Sequence, residues 1–303
     1  MLTVRVCRPV VCVLALALTA SLGLSAGWGG AEPKGLTLRY HQTEGDQAAY
    51  DFAATATMKL TIEPDMPGSR IDASIQMKCL AEFQGSTPEG FTQVQGQILS
   101  GGMKVKTETV EHTEPITGVA VNYQVSPRGE IKQRDLLSGE SPTMPHLYFT
   151  FGPEAAFLLG GDVQFPSGPV KVGDTWKGTI RMPSWREDEE LIARFESKAL
   201  GLEQFRGRPC LKIKTTTKAF FTQTIPFSAG GPEVKAKIRV VSVATWRFDH
   251  ERGLVMWAEG YNKTTTTAAA TGPDGTRFEV TMSGITNMRT SLTKFNDEEI
   301  PAK

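Results

Sequence analysis

A period of two runs through most of this 303-residue chain and limits what it can fold into. From Phe52 to Ile62 the even positions are Phe52, Ala54, Ala56, Met58, Leu60 and Ile62, with threonines and Lys59 between most of them. From Ile71 to Phe83 the odd positions are Ile71, Ala73, Ile75, Met77, Cys79, Ala81 and Phe83, set against Asp72, Ser74, Gln76, Lys78 and Glu82. Successive strand residues point to opposite faces, so this alternation describes strands with one buried and one wet face. It returns at Val119 to Val125, at Ile238 to Phe248 and at Phe278 to Met282.

Turn residues separate these runs: "TIEPDMPGSR", "GSTPEG", "SGG" and "GPDG". Strands joined by short turns pair antiparallel. The predicted fold class is therefore mainly β: a large antiparallel β-sandwich or a curled half-barrel sheet of about twelve strands. One short helix is predicted in "FGPEAAFLLGG", where Pro153 suits a first turn, Glu154 the positive helix end and Gly160 a stop. "EDEELIARFES" fits a helix through Leu191, Ile192 and Phe195 and a strand through Leu191, Ala193 and Phe195; strand is the reading adopted.

The stretch "FPSGPVKVGDTWKGTI", Phe165 to Ile180, reads as punctuation. Val170 and Val172 end a strand, Gly173 and Asp174 make a two-residue hairpin turn, and Trp176 starts the next strand as a core anchor. The alternative, Asp174 as a ligand or catalytic acid, has no carboxylate or histidine beside it in sequence. "EGDQAAYDF" around Gly45 resembles "VGDTWKGTI" around Gly173, and Gly129 and Gly253 follow each at similar separations, which suggests two related halves. The layout expected is a signal peptide (1–26), an N-terminal β half (34–140), a connector with the helix (141–165) and a C-terminal β half (166–296).

The first residues read as an export signal: Arg5 and Arg8, then an apolar run from Val10 to Leu24, then Ser25 and Ala26. An uncleaved anchor is the alternative, since extension to Trp28 approaches the roughly 20 residues of a span. No stable membrane span is expected after cleavage. Removing two arginines from 33 basic and 33 acidic residues leaves 31 against 33, a net charge of −2. That balance predicts no electrostatic footprint for nucleic acid or for an anionic membrane. The mature chain keeps Cys79 and Cys210, which in an oxidising compartment form one disulfide or remain two free thiols.

The sequence contains no Gly-x-Ser-x-Gly elbow, His-Glu-x-x-His, Gly-x-Gly-x-x-Gly, phosphate-binding Lys loop or Cys-x-x-Cys. "DHE" (Asp249 to Glu251) and "EHTE" (Glu111 to Glu114) offer metal-ligand atoms but read as polar hairpin tips. "REDEE" (Arg186 to Glu190) reads as a solvated acidic loop. His146 reads as a packed connector residue, and "NKT" at Asn262 matches a glycosylation acceptor. No catalytic, cofactor-binding or metal residue is assigned, and no cofactor is expected.

With these features, Pro-Val-x-Val-Gly-Asp-x-Trp at Pro169 to Trp176 resembles an uncharacterised family of bacterial secreted or lipid-anchored β-sheet proteins. The lipobox cysteine of its anchored members is missing here. A more distant architectural similarity is to periplasmic lipoprotein carriers, which implies a curved sheet holding acyl chains. The function expected is a non-enzymatic exported envelope protein, periplasmic or extracellular, that binds an apolar ligand or a protein partner. The apolar ligand face would comprise Phe52, Met58, Ile75, Met77 and Phe83. The competing readings are a structural or adhesive surface module without a small ligand, and a hydrolase with dispersed carboxylates.

Overall fold

The computed structural model describes residues 35–63, 66–138, 163–182, 191–226, 233–271 and 277–301. The helix expected at Pro153, His146, the acidic run Arg186 to Glu190 and "GPDG" lie outside these residues. Among the described residues no helix is long and apolar enough to cross a membrane.

The chain is all-β in these residues. The strands are β1 (Gln47–Glu63), β2 (Met66–Ser86), β3 (Thr92–Lys106), β4 (Glu111–Pro115), β5 (Ala120–Val125), β6 (Ile131–Ser138), β7 (Thr175–Met182), β8 (Leu191–Phe205), β9 (Arg208–Pro226), β10 (Glu233–Asp249), β11 (Leu254–Thr271), β12 (Arg277–Phe295) and β13 (Glu298–Glu299). They form one open antiparallel sheet rather than two stacked ones. Its order is β6-β5-β3-β2-β1-β12-β11-β10-β9-β8-β7, with β4 on β3 and β13 on β12. The two halves join where β1 pairs with β12, from Ala48 opposite Phe295 to Glu63 opposite Glu279.

The alternating residues hold their expected faces. Phe52, Ala54 and Ala56 of β1 lie opposite Met77, Ile75 and Ala73 of β2, and all six are buried. "EHTE" is not a hairpin tip: it forms the short strand β4, paired with β3 from Gly102–Pro115 to Lys106–Glu111. Leu191 to Phe205 is a strand, with Ala193, Phe195, Ser197 and Ala199 buried on one face.

The stretch around Gly173 differs from its expected form. Val170 bridges Leu36, not a neighbouring hairpin strand, and Val172 is exposed. The Gly173 N–H donates to Ala199 O (2.8 Å) and the Ala199 N–H to Asp174 O (2.9 Å), so the turn closes on β8. The Lys171 N–H donates to Asp174 Oδ2 (2.7 Å), so Asp174 serves the turn itself. Trp176 is the buried anchor expected, and its Nε1 donates to Gln164 O at 2.7 Å.

Two straps bend the sheet. One is Leu36 to Gln42, the other Val163 to Val170. The Phe165 N–H donates to Arg128 O (2.9 Å) in the β5–β6 turn, while the neighbouring Gln164 O accepts from Trp176 of β7. β5 and β7 are nine strand-to-strand steps apart, roughly 43 Å along a flat sheet at about 4.8 Å per step. Two consecutive strap residues cannot reach both unless the sheet curves around them. The first strap crosses to the other half: Gln42 Nε2 donates to Gly253 O (2.6 Å) and Arg252 O (3.1 Å). Tyr40, Phe165 and Phe248 pack with ring centroids 4.6 to 5.3 Å apart at this crossing.

Glycine is required where the straps press on the turns. Gly129 (φ 83°) and Gly253 (φ 68°) take backbone angles that other residues resist. A Cβ on Gly129 would lie 2.6 Å from Val163 O, and one on Gly253 would lie 2.6 Å from Arg39 O.

Candidate functional site

Bending produces a cavity of about 190 Å³ on the concave face, and both halves line it. Tyr50, Phe52, Cys79 and Phe83 come from β1 and β2, and Tyr123 from β5. Ile180, Phe195, Ala244, Trp246, Ala258 and Met288 come from β7 to β12, while Tyr40, Gln42 and Val163 come from the straps. In-register pairing explains the gathering. Trp246 lies opposite Ala258, Ala258 opposite Thr290, and Thr290 opposite Phe52, which places four side chains on one face across four strands.

The wall is apolar apart from a few groups. Thr215, Thr217 and Ser242 sit together on β9 and β10, with Thr217 opposite Ser242. Ser197 and Thr215 share a buried hydrogen bond of 2.9 Å. Trp246 Nε1 is buried and, among the described residues, has no hydrogen-bond partner. A buried donor left unsatisfied carries a penalty of roughly 1–3 kcal/mol. Among the described residues the only charged ones at the cavity, Glu259 and Arg289, are exposed and directly opposed on β11 and β12. They alternate with the inward-facing Ala258 and Met288, so they project from the other face.

Of the five ligand-face residues expected from sequence, Phe52 and Phe83 line the cavity. Met58, Ile75 and Met77 do not, although all three are buried. Ile75 and Met77 belong instead to a buried cluster that includes Ile116 and Val119 of the β4–β5 connection. Trp246, Phe195 and Met288 were missed. Their alternation marks them as inward-facing, but the pairing of β1 with β12 across more than 200 residues brings them to Phe52.

Cys79 and Cys210 form no disulfide; both are free and buried. They stand on β2 and β9, five strand steps apart in the sheet order. Burial pushes both thiols up to about 12.

"DHE" is the β10–β11 turn, as expected, but Asp249 is fully buried rather than solvated. Its Oδ1 accepts from the Glu251 N–H (3.0 Å) and the Arg252 N–H (3.1 Å). Burial raises its carboxyl above the ordinary carboxylate value, against the opposing hydrogen bond from Glu251. Asp249 is not a cavity residue. Among the described residues no group of three or more His, Cys, Asp or Glu is placed to hold a metal ion.

No protein-family model matches the chain. No curated protein matches it either. Seven solved chains match in structure. One, described as "lipid-protein interactions in lipovitellin", is similar at 12% identity with a TM-score of 0.46, over 87% of this chain and 26% of that one. The chain thus spans about a quarter of that protein's length.

Proposed function

We propose that this chain is a non-enzymatic binding protein that holds a small, neutral, apolar molecule in the concave-face cavity. The observation that carries the reading is the cavity itself, about 190 Å³ and walled by aromatic and aliphatic side chains from both halves. A cavity needs about 10–15 Å³ of this kind to hold one water, so this one has room for roughly a dozen water-sized groups. That suits a single ring or short chain, not a two-chain lipid.

The ligand's polarity follows from the wall. Among the described residues no cation faces inward, and an unpaired buried carboxylate is expensive. A neutral molecule with one carbonyl oxygen meets the wall better, since that oxygen would give Trp246 Nε1 the acceptor it lacks. The chain is, in this reading, an exported member of the secreted β-sheet family suggested by Pro169 to Trp176. An N-terminus at Gly27 in protein recovered from outside the cytoplasm would support the export, and an intact Met1 there would oppose it.

Native mass spectrometry of the purified chain, followed by solvent extraction, tests the binding. A retained neutral organic mass is expected, lost in a variant whose cavity is filled. A chain that carries no such mass, and that takes up neither methyl 3-phenylpropanoate nor pentylbenzene when these are added, would overturn the reading.

A further inference from the structure

The formal net charge of zero conceals a separation. Residues 191–271 contain 13 Lys and Arg against 6 Asp and Glu, a net of +7, leaving 20 against 27 elsewhere. The alternation of β8 to β11 then puts most of the cations on the outer face, where Glu196 and Glu259 are the exposed strand acids beside them. Arg194, Lys198, Lys214, Lys218, Arg239 and Lys263 are all exposed, opposite in sense to the buried Phe195, Ile213, Val240 and Asn262. One register row reads Arg194, Lys218, Val241, Lys263 and Ile285 across five neighbouring strands.

Two pairs in this field place like charges directly opposite: Arg194 with Lys218, and Lys198 with Lys214. Such pairs destabilise a sheet. Among the described residues none of the six cations named above forms an ion pair. Apolar side chains stand among them on the same surface: Phe220 is 71% exposed opposite Arg239, Ile285 is 49% exposed opposite Lys263, and Tyr261 is 46% exposed. Nothing in the fold gains from this combination.

We propose that the outer face of β8 to β12 docks on an anionic phospholipid surface. The cations meet the lipid phosphates, and Phe220, Tyr261 and Ile285 enter the boundary between headgroups and acyl chains. A polyanion in solution would satisfy the cations but leave the aliphatic Ile285 in water. The face opposes the cavity, so docking leaves the concave side free. Whole-chain charge could not reveal it, because the excess of acidic residues elsewhere in the chain cancels the sum.

Flotation of the full chain with vesicles tests the proposal, comparing phosphatidylcholine alone with a 3:1 mixture of phosphatidylcholine and phosphatidylglycerol at about 0.1 M salt, where screening reaches about 10 Å. The chain is expected to float with the anionic vesicles only and to be released at about 1 M salt. Each Lys or Arg near an anionic surface changes partition about five-fold, so R194Q/K218Q/K263Q should weaken binding roughly a hundred-fold. Its melting temperature should hold or rise, because a like-charged pair is relieved. K237Q/R239Q gives an independent pair. Phe220→Ser should weaken vesicle binding without altering binding to a DNA duplex. Equal flotation with both vesicles, or no effect of either neutralised set, would overturn the proposal. So would a DNA duplex bound as tightly as the vesicles with Phe220→Ser unaffected, which would assign the face to a polyanion.

Discussion

Asp46 and Asp174 close the same turn in the two halves. Each accepts from the main-chain N–H three residues earlier at 2.7 Å, that of Thr43 or Lys171. Each turn then pairs with the second strand of its half: Gly45 N to Phe83 O and Phe83 N to Asp46 O, against Gly173 N to Ala199 O and Ala199 N to Asp174 O. The four distances are 2.8, 2.9, 2.8 and 2.9 Å. Gly45 and Gly173 share positive φ, as do Gly129 and Gly253 at the later turns. The resemblance between the halves is thus one of geometry, beyond hairpin composition.

The two aspartates differ in what else they hold, and this gives the first expected outcome. Asp46 also accepts from Thr43 Oγ1 (3.0 Å) and Asn296 Nδ2 (2.9 Å), which ties β1 to the end of β12. Asp174→Ala should cost about 1 kcal/mol and Asp46→Ala, which loses three hydrogen bonds, about 3 kcal/mol, at roughly 1 kcal/mol per net hydrogen bond. Urea unfolding of both variants checks the order. Equal losses would mean that the Thr43 Oγ1 and Asn296 contacts add nothing.

The fold was legible where it is local. Alternation at Phe52 to Ile62 and at Ile71 to Phe83 gave strands, faces and antiparallel pairing, because period two depends only on the chain's own geometry. The β1–β12 pairing was not legible, since it joins residues more than 200 apart without a turn between them. The site was half legible for that reason: Phe52 and Phe83 are read from their own strands, whereas Trp246 becomes their neighbour only through β11 and β12. Met77 and Ile75 look equivalent to Phe52 in pattern, but they pack in a cluster with Ile116 and Val119 and do not line the cavity.

Strap contacts set a second outcome. Gly253→Ala combines strain at φ 68° with a Cβ 2.6 Å from Arg39 O. It should lower stability by more than 1 kcal/mol and speed protease cleavage within 35–42 relative to the native protein. An unchanged cleavage rate would show that the strap does not depend on this turn.

Cysteine chemistry gives a third. Burial holds Cys79 and Cys210 near 12, and the thiolate is the reactive form. Neither should be alkylated by iodoacetamide at pH 8 in the native protein, and both should be after denaturation. Rapid labelling of the native protein at either site would contradict their burial. An intact mass about two daltons lower would contradict the free thiols.

Asp249 links stability to pH. Its folded carboxyl is raised above the ordinary value, so between the unfolded and folded pKa the native state holds more protons than the unfolded chain. Its contribution therefore falls as pH rises through that window. Asp249→Asn keeps an oxygen for the Glu251 and Arg252 N–H groups and removes the charge. The variant should be at least as stable as the parent at pH 7, and the difference should shrink below about pH 4. A loss at pH 7 that disappears below about pH 4 would show that Oδ2 has a role as an anion.

The cavity itself is tested most directly by filling it. Ala244 lies on its wall between Thr215 and Gly260, and Leu at this position extends into the space. Titration of pentylbenzene and methyl 3-phenylpropanoate into the native chain and into Ala244→Leu, followed by tryptophan emission, separates the alternatives. Saturable binding of one molecule per native chain, lost in Ala244→Leu with the melting temperature retained, is the expected result. Saturable binding that survives in Ala244→Leu, or none to the native chain, would contradict a ligand site on the concave face.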